Sequence, residues 1–117
     1  MKTMTIDIIN GEKFEFFQLL PAAELPKGER RFLEIDGIPI MLLNHQGSII
    51  AISDLCSHDN GSLGDGEVDG EVITCPRHGA RFNLKTGKAL SLPAVENIPV
   101  FPTRIRNDQI EIGIKTR

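Results

Sequence analysis

The chain contains no tryptophan and no tyrosine, and its aromatic residues are six phenylalanines. It therefore lacks the rings on which nucleic-acid bases usually stack. Its formal net charge of −3 also denies it the basic surface that a phosphate backbone requires. Nucleic acid is excluded as a partner. Nowhere do eighteen apolar residues run consecutively, so no membrane-spanning helix is expected. Residues Met1 to Asp7 lack the uninterrupted apolar run of a signal peptide. No membrane partner is expected, and a cytoplasmic location is. Nothing suggests an oxidising compartment. The chain has no internal repeats, linkers or low-complexity tracts. At 117 residues, 40% apolar and 25% charged, it reads as a single domain (1–117) that can bury a core without a metal to fold it.

Cysteine and histidine are scarce, and they are concentrated. Both cysteines and two of the three histidines lie in two short clusters, Cys56-Ser57-His58 and, sixteen residues on, Cys75-Pro76-Arg77-His78. Thiolate and imidazole together suit a borderline-soft metal, which means zinc or iron–sulfur. Zinc sites usually pair like with like at close spacing, whereas each half here is mixed. A two-iron, two-sulfide cluster with both cysteines on one iron and both histidines on the other would use that mixture directly. The same four residues would also serve a structural zinc-binding module. The two cysteines alone could form a disulfide. A papain-like Cys–His nucleophile would need far more chain than this.

Cys-x-His, a gap of sixteen and Cys-x-x-His, followed by Gly79-Ala80-Arg81-Phe82, resembles the Rieske [2Fe–2S] proteins. Asp54-Leu55, Gly61-Ser62-Leu63, Thr86-Gly87-Lys88 and Leu92-Pro93-Ala94 are similar to what that family carries in the same places. The likeness runs from roughly Phe14 to Ile114. It implies one Rieske-type [2Fe–2S] cluster, with Cys56 and Cys75 on a buried iron, His58 and His78 on an outer one, and Pro93 in a loop over the cluster. The Rieske subunits of quinol-oxidising complexes are typically tethered to a membrane and carry an extra cysteine pair that staples their cluster loops. This sequence shows neither feature. It resembles instead the soluble Rieske ferredoxins of ring-hydroxylating dioxygenases, which implies transient docking near the cluster to a reductase as donor and an oxygenase as acceptor. The chain has no room for the large catalytic domain of an oxygenase, so it is expected to carry electrons rather than to be an enzyme. A small Rieske subunit of a larger oxidoreductase, such as a nitrite-reductase-like complex, is the alternative.

Neutral imidazoles leave the oxidised cluster less negative than four thiolates would, so an added electron meets less repulsion. This is why Rieske centres span about −150 to +300 mV while plant-type ferredoxins lie near −400 mV. High-potential relatives typically place Ser two residues and Tyr four residues after the last ligand, where their hydroxyls donate to a sulfide and a cysteine sulfur. Here those positions are Ala80 and Phe82, which have no side-chain donor, so the low end of the range is expected. Gly61, Gly64, Gly66 and Gly79 read either as sites where backbone N–H groups approach the sulfides or as plain turn glycines. The acidic run of Asp54, Asp59, Asp65, Glu67, Asp69 and Glu71, with Arg77, Arg81, Lys85 and Lys88 after it, reads either as a solvated loop surface or as a steering patch for docking.

Three further signals fail. His45 falls in a predicted turn and is expected to be solvated. Asp65-x-Glu67-x-Asp69-Gly70 echoes a calcium loop, but Pro76 stands where its terminal Glu should be. Asn60-Gly61-Ser62 is a sequon only in a secreted chain.

The remainder is short strands and turns. Thr5–Ile9 and Lys13–Gln18 flank Asn10-Gly11, and Arg31–Ile35 and Ile38–Leu43 flank Asp36-Gly37, both type I′ hairpin signals. A longer polar turn is expected over 44–48, and one helical turn at Pro21–Leu25. Val72–Thr74 and Arg81–Leu84 are expected as strands of a cluster-binding subdomain at about 54–93. Val100–Arg106 and Gln109–Ile114 close the chain. Eight or nine such strands predict an all-β fold, a Rieske-type antiparallel sandwich or barrel.

Overall fold

A computed structural model describes residues 4–57, 61–92 and 96–116. Of the residues singled out above, His58, Asp59, Asn60, Pro93 and Ala94 lie outside them. Among the described residues the elements in chain order are β1 (Met4–Ile9), β2 (Glu12–Pro21), a 3-10 turn (Ala22–Glu24), β3 (Arg30–Ile35), β4 (Ile38–His45), β5 (Ser48–Ser53), β6 (Glu67–Asp69), β7 (Val72–Thr74), β8 (Arg81–Asn83), β9 (Ala89–Ser91), β10 (Val100–Phe101), β11 (Thr103–Arg106) and β12 (Gln109–Lys115). The all-β expectation holds. No helix among these residues is long and apolar enough to cross a membrane.

Among the described residues, four of the two-residue turns between neighbouring strands place both of their residues in the left-handed region that a type I′ turn requires. Asn10 and Gly11 (φ +52° and +80°) and Asp36 and Gly37 (+51° and +79°) occur where expected. Gln46 and Gly47 (+55° and +98°) form the third. It is tighter than the expected 44–48 turn because His45 pairs with Ser48 and the Asn44 carboxamide oxygen accepts the Gly47 N–H at 2.9 Å. His45 thus ends β4 and is half-buried. The fourth turn, Asn107 and Asp108, manages without glycine, since short polar side chains tolerate this region.

The strands form three antiparallel four-stranded sheets: an outer sheet β1-β2-β12-β11, a middle sheet β10-β5-β4-β3 and a cluster sheet β6-β7-β8-β9. Alternation along a strand sends successive side chains to opposite faces. Ile40 and Leu42 of β4 and Ala51 of β5 accordingly meet Leu20, Ile110 and Ile112 of the outer sheet in one core. Met41, Leu43, Ile50 and Ile52 face the other way and meet Ile73, Phe82 and Leu84 beside the cluster loops. Within the middle sheet the centre of β4 is buried on both sides, which is why residues 40–43 read as an unbroken apolar run.

The strands outnumber those expected for two reasons. β6 and β9 are as short as β7 and β8, three residues each, and carry Glu, Asp and Ala, which are depleted in strands. The expected strand 100–106 is also split. Val100 and Phe101 pair with β5, whereas Thr103–Arg106 pair with β12. Pro102 makes the switch, as it has no N–H for either ladder and offers its carbonyl to Gly113 at 2.8 Å.

Arg104 pins the first hairpin to the outer sheet. Its Nε donates to Glu111 at 2.7 Å and its Nη2 to the Thr5 hydroxyl at 2.9 Å. A third bond runs from Nη1 to Asp7, and the guanidinium stacks 3.7 Å above the Phe16 ring. The hydrogen bond from Arg104 holds the Asp7 carboxyl below its usual range against partial desolvation. Burial opposes the charge on Arg104, and the bonds to Asp7 and Glu111 more than offset it, raising its pKa. A carboxylate whose pKa is depressed on folding adds stability above its unfolded value and loses it as pH falls through the folded one. Asp7→Asn is therefore expected to be less stable than wild type near neutral pH, with the gap closing below about pH 4. Urea midpoints across pH check this, and a pH-independent gap would refute it.

Candidate cluster site

The two cysteine–histidine stretches form two loops of equal length, closed in the same way. Leu55 bridges Ser62, and the Cys56 N–H donates to the Gly61 carbonyl at 2.8 Å. In the second loop Thr74 pairs with Arg81, and the Cys75 N–H donates to the Ala80 carbonyl at 2.7 Å. Each cysteine thus opens a six-residue loop and bonds to its sixth residue. Inside the second loop Gly79, at φ +75°, turns the chain so that its N–H reaches the Cys75 carbonyl at 3.1 Å.

This closure brings Cys56 and Cys75 into one core, 0% and 1% exposed, among Leu63, Ile73, Ala80 and Phe82. His78 is exposed on its loop. His58 falls in the corresponding loop, outside the described residues. The two cysteines are not joined as a disulfide. Among the described residues no three His, Cys, Asp or Glu side chains gather as if to hold a single ion.

Side chains from outside the loops hold them in place. Asp54 directly follows β5 and accepts three hydrogen bonds on one carboxylate oxygen, from the Ser62 hydroxyl at 3.0 Å, the Leu63 N–H at 3.1 Å and the Gly64 N–H. Arg30, at the start of β3, donates to the carbonyls of Gly64 and, at 2.7 Å, Gly66. Two readings left open by the sequence bear on these loops. The N–H groups of Gly64, Gly66 and Gly79 bond to Asp54, Leu63 and Cys75, as turn residues of the loops do. Within the acidic run Asp65, Glu67 and Asp69 are exposed, while two members have partners in the chain. Asp54 is a loop cap, and Glu71 pairs with Lys85 at 3.2 Å.

Ala80 and Phe82 are fully buried in the same core and offer no side-chain donor, as expected. A different donor is present. Arg77 directs Nη2 at the Cys75 sulfur, 3.2 Å away, and Nη1 at the Ser62 carbonyl, 2.7 Å away. Its position between the second Cys and His was the available signal, but nothing in the sequence said where a long side chain would fold back.

The donor set fits a Rieske cluster. Two buried thiols can hold an iron away from water, and an imidazole at the surface can hold the second iron where an electron enters and leaves.

Comparison with known proteins agrees with this chemistry. The family model of the Rieske [2Fe-2S] domain matches residues 15–102. The 3-phenylpropionate/cinnamic acid dioxygenase ferredoxin subunit of Escherichia coli K12 is 42% identical over 96 residues, which cover 80% of this chain and 89% of that protein. The ferredoxin of carbazole 1,9a-dioxygenase from Nocardioides aromaticivorans IC177 superposes with a TM-score of 0.75 at 28% identity, covering 83% of this chain and 95% of that one. A chain in a complex of reduced oxygenase and oxidized ferredoxin of carbazole 1,9a-dioxygenase gives the same score and identity, covering 83% and 91%. This chain belongs to the Rieske [2Fe-2S] domain family, and its cofactor is a single Rieske-type [2Fe–2S] cluster.

Proposed function

We propose that the protein is the ferredoxin component of a dioxygenase system, a one-electron carrier from a reductase to a terminal oxygenase. The observation that carries this reading is the split environment of the donors, with two cysteines sealed in the core and His78 at the surface. When bound, the cluster supplies a reversible one-electron couple. Cys56 and Cys75 would hold one iron of the cluster, where their burial keeps water out. His58 and His78 would hold the other, and the exposed His78 offers a way for the electron to enter and leave. The whole chain acts as one domain and works in the cytoplasm, where its thiols stay reduced for cluster assembly. Docking is brief and near the cluster, as shuttling between two partners requires.

Ala80 and Phe82 set the potential toward the lower part of the Rieske range of about −150 to +300 mV. Voltammetry on the purified holoprotein, followed by mixing the reduced protein with a dioxygenase oxygenase component, tests the reading. The expected result is a wave below 0 mV, roughly the lower part of that range, and electron delivery through a weak complex that weakens further with salt. A potential well above zero, or a large subunit that co-purifies through high salt, would instead mean a respiratory role or a fixed subunit of a larger complex.

A further inference from the structure

We infer that Arg77 is a positioning residue that staples the two cluster loops together and raises the reduction potential through the sulfur of Cys75. This rests on the reading that Cys75 is a cluster ligand. Arg77 belongs to the second loop, yet its Nη1 donates to the Ser62 carbonyl just beyond the first loop, while its Nη2 donates to the Cys75 sulfur. The span between these partners fixes both loops relative to one another with a single planar group, a task suited to the rigid fork of arginine. Where the quinol-oxidising relatives use a cysteine pair for the stapling, this chain has no cysteine to spare.

A second, independent observation shows that the position is built for this side chain. A Cβ placed on Gly61 would run into the Arg77 guanidinium, with Cζ, Nη2 and Nε its three nearest neighbours. Glycine at 61 has no such atom. The room it leaves is filled by the guanidinium.

The electrostatic consequence follows from charge. A cation donating to a thiolate sulfur withdraws electron density from it and strengthens when the cluster gains an electron. Arg77 thus supplies from the surface part of what Ala80 and Phe82 withhold from the core.

The test compares holoproteins of wild type, Arg77→Leu, Arg77→Lys, Gly61→Ala and the Gly61→Ala/Arg77→Leu double variant, each checked by visible absorption and circular dichroism for the cluster. Arg77→Leu is expected to disfavour reduction about tenfold, equivalent to about 59 mV for one electron, and to shed its cluster faster. Arg77→Lys should recover part of the potential. Gly61→Ala should lower it too, because the new methyl displaces the guanidinium, and the double variant should fall little below Arg77→Leu alone. A wild type without the cluster's spectrum would overturn the ligand reading itself. A normal wild-type spectrum with unchanged potentials in the variants would overturn the role of Arg77. Should Arg77→Leu not retain its cluster, Gly61→Ala and Arg77→Lys decide the matter, since wild-type potentials in both refute it.

Discussion

Truncating Phe82 to alanine is expected to cost about 3–5 kcal/mol, the range for removing a buried aromatic ring. Phe82 is fully buried in β8, paired with Ile73 of β7, and lies in the same core as both cysteines. The cavity would open beside the proposed inner iron, between the cluster sheet and Met41 and Ile52 of the middle sheet. The expected fall in melting temperature is roughly 12–20 °C for a domain of this size, with a shorter cluster lifetime in air. Thermal unfolding followed by circular dichroism, with cluster loss followed by absorbance, checks both. A fall smaller than about 4 °C, the equivalent of one kcal/mol, would mean that the ring contributes far less than its burial implies.

The second large effect is expected at Gly66. A Cβ there would overlap the carbonyl oxygen of Thr74, and the Leu63 carbonyl oxygen stands only 3.0 Å away. Both obstacles are backbone. No rotamer relieves them, and only parting the 61–66 segment from β7 would, one residue before Cys75. Gly66→Ala should therefore cost about 3 kcal/mol, the upper end of overpacking penalties, and should lower the iron content of the purified protein. Gly70, in the nearby β6–β7 turn, provides the contrast. It adopts φ +60° with nothing near its missing Cβ, so Gly70→Ala should cost only the left-handed strain, about 1–2 kcal/mol, and leave iron loading intact. Urea midpoints and iron analysis of the two variants decide the question. Equal losses in both would show that close approach to β7 is not what selects glycine at 66.

The cofactor class and the local turns were readable because their signals are short in sequence. Asn10-Gly11 and Asp36-Gly37 declare their turn type within two residues, and Cys56, His58, Cys75 and His78 declare a metal by composition and spacing. What escaped depends on separation. Arg30 reaches Gly64 and Gly66 across more than thirty positions, and the end of Arg77 depends on how the first loop passes the second. A side chain with four rotatable bonds does not announce its destination. Asp54 matched the family pattern, but whether it steers a partner or caps a loop depends on three donors that only the folded loop presents. Proline at 102 was visible, yet read as part of one strand. Its missing N–H makes it the point where a strand changes sheets.

Residues 40–43 of β4 have no solvent face. Ile40 and Leu42 look into one core, and Met41 and Leu43, their immediate neighbours, into the other. Mechanical slack in either half is therefore felt in the other through the same four residues. A substitution such as Leu42→Ala, made on the side away from the cysteines, reaches the cluster without touching anything near it. Random mutagenesis screened only for loss of colour would accordingly return hits in the far core as well as in the loops, and the map of such hits would trace the shared strand rather than the shape of the site.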